Sequence, residues 1–144
     1  MNYEEIFQRL IKRLASEMSH SDLTLVDRAF ELARVAHDGQ TRDEGTPYIV
    51  HPVRVAAVLV NELEVFNGRL VCAALLHDVI EDSPTTREQI AEMFDQEIAQ
   101  LVWLLTKLEE VSLADYLSAI EASGATGATL VKLCDRLDNL RFLT

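Results

Sequence analysis

The chain has 144 residues, 49% of them hydrophobic, which is enough to bury a core, and residues 1–144 are predicted to form one domain. Its formal net charge of −11 disfavours a binder of duplex nucleic acid, because such proteins need a basic face to neutralise phosphates. No apolar stretch is long enough for a membrane span and no signal-peptide pattern is present, so we expect a cytoplasmic protein whose two cysteines are buried free thiols.

The first half of the chain predicts three helices. Residues 3–18 and 23–37 both have apolar side chains at the three- and four-residue spacing of an amphipathic helix. A polar loop follows at 38–50, of the kind that carries binding groups on a helical scaffold. Pro52 suits the first turn of a third helix at 52–63.

The second half predicts four more helices, at residues 67–82, 86–106, 112–122 and 127–141. Ser83-Pro84 ends the first of them. Thr86 with Gln89 three residues later is a capping-box pattern that opens the next. Strand signals are nearly absent. The predicted fold class is therefore all-α, a single-domain helical bundle of about six to seven helices.

The fourth predicted helix contains the most informative motif, LLHDVIED. At 3.6 residues per turn, a continuous helix would place His77 over Glu81 and Asp78 over Asp82, along one polar edge beside an apolar stripe. Burying such groups in an apolar helix is costly unless they are paired or hold an ion.

Two further residues complete a candidate metal site. His51 in YIVHPVRVA and Asp135 in KLCDRLDNL give, with His77 and Asp78, a set of two histidines and two aspartates. Imidazole and carboxylate ligands suit a divalent ion such as Mn, Fe, Zn or Co. The pattern favours a metal-assisted hydrolase, with Mn²⁺ as the expected ion because a six-coordinate ion would keep open positions for water and a phosphate oxygen.

The wider sequence carries a resemblance to a known family. The blocks AHDGQTRDEGTPYIVHPVRVA, AALLHDVIEDSPTT, LLTKL and VKLCDRLDNLR follow one another, with histidine, His-Asp and aspartate in the H…HD…D order. They resemble the HD superfamily of metal-dependent phosphohydrolases, and within it the hydrolase domain of RelA/SpoT-type proteins and their small stand-alone relatives. The resemblance covers residues 22–144. It implies an HD-type helical fold and removal of the 3′-pyrophosphate from (p)ppGpp or a related phosphorylated nucleotide, usually with manganese.

The resemblance also implies roles for individual residues. It places the metal ligands at His51, His77, Asp78 and Asp135. It assigns work on the attacking water to Glu81 and Asp82, and substrate contacts to Arg42, Asn139 and Lys107.

Three departures from the family's pattern are visible. The chain has Asp43-Glu44 where a lysine usually follows the GQ-x-R element, and Asp138 where relatives usually have the histidine of RLHN. The stretch ADYLSAIEASGATGA has no basic residue, although relatives carry an arginine and a lysine there.

Two other functions fit the same motifs. One is a nucleotide-binding regulatory module of the same fold with little turnover, which the complete ligand set disfavours. The other is a nuclease, which the charge of −11 disfavours. An apolar stripe of Leu133, Leu137 and Leu140 also predicts a homodimer.

Overall fold

The computed structural model describes residues 1–107, 112, 114–115, 118, 121–122 and 126–142. These residues form eight helices and no β-strand, so the all-α prediction is confirmed for this part of the chain. The helices are α1 (Tyr3–Leu14), α2 (His20–Ala36), α3 (Val50–Asn61), α4 (Gly68–Leu76), α5 (Val79–Asp82), α6 (Arg87–Met93), α7 (Gln96–Lys107) and α8 (Thr126–Arg141). Of the helix predicted at 112–122, residues 113, 116–117 and 119–120 lie outside those described, while residues 114–115, 118 and 121–122 are helical.

Helix starts follow from short polar side chains that accept hydrogen bonds from free backbone amides. Asn2, Ser19 and Asn67 cap α1, α2 and α4 in this way. The predicted capping box is confirmed, because Thr86 accepts from the amide of Gln89 while the Gln89 side chain accepts from the amide of Thr86.

Two predicted helices are each divided into two. The prediction of one helix over 67–82 is wrong, since α4 ends at Leu76 and α5 begins at Val79. Between them the His77 ring donates from Nδ1 to the carbonyl of Ala74 at 2.7 Å, so a side chain satisfies one of the last carbonyls of α4. The helix predicted at 86–106 is likewise divided, where Asp95 accepts from the amide of Ile98 at 2.8 Å and starts α7.

Helices α3 and α4 form the centre of the molecule. Both are mostly apolar around their whole circumference and nearly all their residues are buried, as expected for helices that are covered on every side. Helix α4 contacts α2, α3, α7 and α8, while α3 also contacts α1 and α8. The packing of α3 on α8 brings His51 opposite Asp135.

Several remaining expectations concern the surface and the cysteines. Cys72 and Cys134 are buried, as predicted. On α8, Leu133 and Leu140 are exposed while Leu137 is half-buried, and the homodimer stays a prediction. None of the helices in the described ranges is both long and apolar enough to cross a membrane.

Candidate metal centre and adjoining cavity

Four buried side chains from three parts of the fold converge on one point. His51 comes from the first turn of α3, His77 and Asp78 from the junction of α4 and α5, and Asp135 from α8. The first three each offer a ligand atom, and these atoms lie within 4.8 Å of one another. Oδ1 of Asp135 lies 2.7 Å from Nε2 of His51 and 3.3 Å from Nε2 of His77. We call these four residues the His/Asp cluster.

Both histidines of the cluster are held by their Nδ1 atoms. Nδ1 of His77 donates to the Ala74 carbonyl at 2.7 Å, and a carbonyl can only accept. Nδ1 of His51 lies 2.7 Å from Oδ2 of Asp138. Each ring therefore presents Nε2 to the cluster, which is the arrangement expected of metal-binding histidines whose other nitrogen is fixed by an acceptor.

The two carboxylates of the cluster are held in their charged form. Burial alone would raise the pKa of Asp78, but His77, the Tyr48 hydroxyl and His51 hold it well below its usual value. The Tyr48 hydroxyl donates to Asp78 at 2.7 Å. For Asp135, burial also acts to raise the pKa, and hydrogen bonds to His51 and His77 lower it strongly. Two buried anions that both contact His77 therefore need nearby positive charge, part of which Lys132 supplies at 3.3 Å from Oδ2 of Asp135.

The donor set fits a divalent ion. Neighbouring ligands of a six-coordinate ion with bonds of about 2.1 Å lie about 3 Å apart. Within the cluster, Oδ2 of Asp78 lies 3.1 Å from Nε2 of His77 and 3.8 Å from Nε2 of His51, and the Asp135 distances given above lie in the same range. Two imidazoles with two carboxylates are also the ligand types that such an ion prefers.

The predicted catalytic pair lies on α5, directly after the cluster. Asp82 is half-buried, and its backbone carbonyl accepts a hydrogen bond from the Gln40 side chain at 2.9 Å. Burial and the nearby charge of Asp78 raise the pKa of Asp82. Glu81 is exposed. The helix is interrupted at His77 and Asp78, so the four residues do not lie on one continuous helix as predicted. The amide of Asp82 still donates to the carbonyl of Asp78 at 3.0 Å, which keeps these two residues at helical spacing.

A cavity of about 320 Å³ adjoins the cluster. It is lined by Thr41, Arg42, Asp43, Glu44, Tyr48, Asn139 and Phe142. Most of these residues belong to residues 37–49, between α2 and α3, which we call the cavity loop. Tyr48 joins the two features, since it lines the cavity and its hydroxyl donates to Asp78.

Two of the three predicted substrate residues meet in this cavity. The Arg42 guanidinium donates to the side-chain oxygen of Asn139 at 2.9 Å, across 97 positions of sequence. The third, Lys107, is the last residue of α7, and its side chain lies outside the described part of the structure.

The two acidic residues Asp43 and Glu44, which stand where the family usually has a lysine, are partly neutralised. Glu44 accepts hydrogen bonds from Arg54 and Thr46, both at 2.8 Å, and lies 3.7 Å from Nε of Arg42. Asp43 next to it is exposed. One of the two acids is therefore already paired with arginine.

Sequence reasoning missed Tyr48, Arg54 and Asp138 as site residues. Asp138 is 1% exposed and contacts both His51 and Arg54. A signal for it was present, because Asp138 follows Asp135 by three residues and this spacing places both on one helix face. Arg54 similarly follows His51 by three.

Comparisons with known proteins show what the chain is similar to. A family model described as the HD domain matches residues 29–128. The bifunctional (p)ppGpp synthase/hydrolase SpoT of Escherichia coli K12 is 35% identical over 147 residues, covering 96% of this chain and 21% of that protein. A guanosine-3′,5′-bis(diphosphate) 3′-pyrophosphohydrolase of Haemophilus influenzae is 40% identical over 121 residues, covering 78% and 18%. The chain thus spans about a fifth of the length of these curated relatives.

A solved structure has a similar fold. It is described as a metazoan ortholog of SpoT that hydrolyses ppGpp and plays a role in starvation responses. The two chains superpose with a TM-score of 0.68 at 30% sequence identity, over 81% of this chain and 68% of the other.

Proposed function

The chain belongs to the HD domain family, and on that premise we propose that it is a metal-dependent hydrolase that removes the 3′-pyrophosphate from guanosine 3′,5′-bis(diphosphate). The observation that carries the proposal is the convergence of the His/Asp cluster beside a cavity that holds Arg42 and Asn139. Relatives that match nearly the whole chain carry this activity in their names.

The His/Asp cluster would hold the metal, for which we propose Mn²⁺. When bound, a divalent ion supplies a Lewis acid for the phosphoryl oxygens and for the attacking water. The protein would hold the ligand side chains in position before the ion binds. Nδ1 of each histidine is already engaged and Asp78 is held by Tyr48, so the ligands need little rearrangement.

Asp82 and Glu81 would orient the attacking water and take its proton. A carboxylate whose pKa is raised by burial, as that of Asp82 is, is a better proton acceptor than a fully exposed one. The oxygen of the water forms a bond to phosphorus as the bond between phosphorus and the 3′ oxygen of ribose breaks. The 3′ oxygen then takes up a proton, and the products are GDP and pyrophosphate. General-base assistance of this kind contributes about 10² to 10⁴ in rate.

Arg42, Asn139 and Lys107 would bind the nucleotide. The Arg42 guanidinium presents several donors, of which one is used by Asn139, so others remain available for phosphate oxygens. The pairing of Glu44 with Arg54 reduces the repulsion that the acidic loop would exert on an anionic substrate.

The test is pyrophosphate release from ppGpp with Mn²⁺, next to a panel of other phosphorylated nucleotides and a His77→Ala control. Release from ppGpp that disappears in the control supports the proposal. Release from other nucleotides alone would retain the hydrolase and replace the substrate. Metal binding without any release would contradict turnover and favour the nucleotide-binding regulatory module.

A further inference from the structure

Asp138 contacts the cluster without belonging to the predicted ligand set. Its side chain is almost fully buried on α8. Oδ2 lies 2.7 Å from Nδ1 of His51, and Oδ1 accepts from Nε of Arg54 at 2.8 Å. Both oxygens of this carboxylate are therefore occupied, and a buried carboxylate with two such partners has a fixed orientation.

His51 lies between two carboxylates that compete for its ring proton. Asp135 is 2.7 Å from Nε2 and Asp138 is 2.7 Å from Nδ1. A neutral imidazole has only one N–H, and its second nitrogen carries a lone pair. A metal ligand must present that lone pair at Nε2, so the proton has to be at Nδ1. Asp138 is the acceptor that selects this tautomer.

Arg54 fixes Asp138 and extends the contact to the cavity loop. It lies one helical turn after His51 on α3, and its Nε donates to Asp138 while a terminal nitrogen donates to Glu44 at 2.8 Å. Its guanidinium also lies 3.6 Å from the centre of the Phe142 ring. A planar guanidinium held on two edges and one face has little freedom to turn. The contacts form a continuous series, Glu44, Arg54, Asp138 and His51.

We propose that Asp138 is a positioning residue that holds His51 in its metal-binding tautomer, and that Arg54 holds Asp138 and couples it to Glu44 in the cavity loop. The metal-affinity part of this inference rests on the proposed metal site. Glu44 and Asp138 both belong to the departures from the family's pattern, and Arg54 is bonded to both. Glu44 and Asp138, two positions at which this chain differs from the family's pattern, are thus joined through hydrogen bonds to Arg54.

The first measurement is metal affinity. Calorimetric titration of metal-free protein with Mn²⁺ compares the wild type with Asp138→Asn, Asp138→Ala and a matched control, Glu17→Gln, which removes a distant exposed carboxylate. We expect the Asp138 variants to bind Mn²⁺ about 10- to 100-fold more weakly, as is typical when a partner of a ligating histidine is lost, and the control to bind as the wild type does. Equal affinity in folded Asp138 variants would overturn the proposal.

The second measurement needs no variant and no metal. Long-range ¹H–¹⁵N correlation spectra of metal-free wild-type protein at pH 9 report which ring nitrogen of His51 carries the proton. We expect the proton on Nδ1. A ring that carries its proton on Nε2 alone would overturn the assignment of Nδ1–H to Asp138 even if the variants do not fold, whereas a proton on Nδ1 supports it whether or not Nε2 is protonated as well.

Arg54→Lys tests the contribution of Arg54 separately from that of Asp138. Lysine keeps the charge and gives up the two-edged contact, so we expect a smaller loss of Mn²⁺ affinity than in the Asp138 variants, about 3- to 10-fold, with a raised KM. An unchanged affinity and KM would remove Arg54 from the inference.

These results distinguish the two proposals. Wild-type protein that binds no divalent ion would overturn the proposed metal site and the affinity part of this inference, while the ring spectra would still decide the role of Asp138. Wild-type protein that binds Mn²⁺ and hydrolyses ppGpp, with Asp138 variants unchanged, would overturn this inference alone.

Discussion

The His/Asp cluster and the cavity loop are both ordered, but by different interactions. The cluster lies on helices, its side chains are buried, and their orientations are fixed by hydrogen bonds between side chains. The loop is partly exposed and is held by its own backbone. Arg42 donates from its amide to the carbonyl of Thr46 at 2.9 Å, and Gly39 and Gly45 adopt φ values of 80° and 88° that favour glycine.

Under the proposed function, this difference would assign the chemical step to the cluster and substrate selection to the loop. The proposed ligand residues match the family's pattern, while one of the three departures, Asp43-Glu44, lies in the cavity loop. A rigid helical frame that holds the reacting groups, with a loop that selects the substrate, is a common division in enzymes. Substitutions in the cluster should therefore change turnover, and substitutions in the loop should change substrate binding.

The largest effect is expected from His77→Ala in the cluster. Removal of this ligand should lower kcat for pyrophosphate release by about 10⁴-fold or more, because Lewis-acid stabilisation is worth several kcal/mol. Mn²⁺ binding by calorimetry should weaken in parallel. His20→Ala, a change at an exposed histidine on α2, serves as the control and should behave as wild type. A kcat within tenfold of wild type would show that the cluster is not the reacting centre.

Asp82→Asn and Glu81→Gln test the proton acceptors next. We expect at least one of the two to reduce kcat by about 10² to 10⁴ while Mn²⁺ affinity stays near the wild-type value. A loss of kcat at unchanged Mn²⁺ affinity would show that the carboxylate acts in the chemical step and not in metal binding. If both amides turn over normally, neither carboxylate handles the proton of the attacking water.

Arg42→Met tests the proposed role of the cavity loop in substrate binding. Loss of a charged hydrogen-bond donor should raise KM about 10- to 100-fold and change kcat less. Arg9→Met on the exposed face of α1 is the matched control. A fall in kcat at constant KM would contradict the division, because the loop would then contribute to the chemical step.

The smallest effect is expected from Asp43→Lys. The side chain is exposed, so reversing its charge should raise kcat/KM for ppGpp only about 2- to 10-fold at low salt. The gain should shrink as ionic strength rises. Steady-state assays at several salt concentrations measure this directly, and a gain that does not depend on salt would require a direct contact instead of long-range attraction.

Parts of this arrangement could be predicted and parts could not. Helix positions followed from periodicity and caps, and the family's motifs identified the residues of the cluster. The end of α4 at Leu76 could not be predicted, because it coincides with a side-chain hydrogen bond from His77 to the carbonyl of Ala74 that periodicity does not show. The start of α7 was accessible in principle, since Asp95 is a good N-cap, but the apolar spacing continued across it.

The network around Asp138 shows a different limit. Its position three residues after Asp135 was available from the sequence, yet its partners His51 and Arg54 lie 87 and 84 positions away. Contacts at such separations depend on how α3 packs against α8, which local patterns do not determine. The prediction for Lys107 concerns a side chain outside the described residues and stays a prediction.

The interruption between α4 and α5 has a consequence for how this protein tolerates change. Successive side chains of an unbroken α-helix project about 100° apart, so a regular helix would point His77 and Asp78 in different directions. In this protein both side chains reach the cluster at the point where the helix is interrupted between Leu76 and Val79. A substitution that favoured a continuous helix here would strengthen local secondary structure and would turn the two proposed metal ligands apart. On the proposed metal site, helix stability and metal binding therefore make opposite demands on this dipeptide.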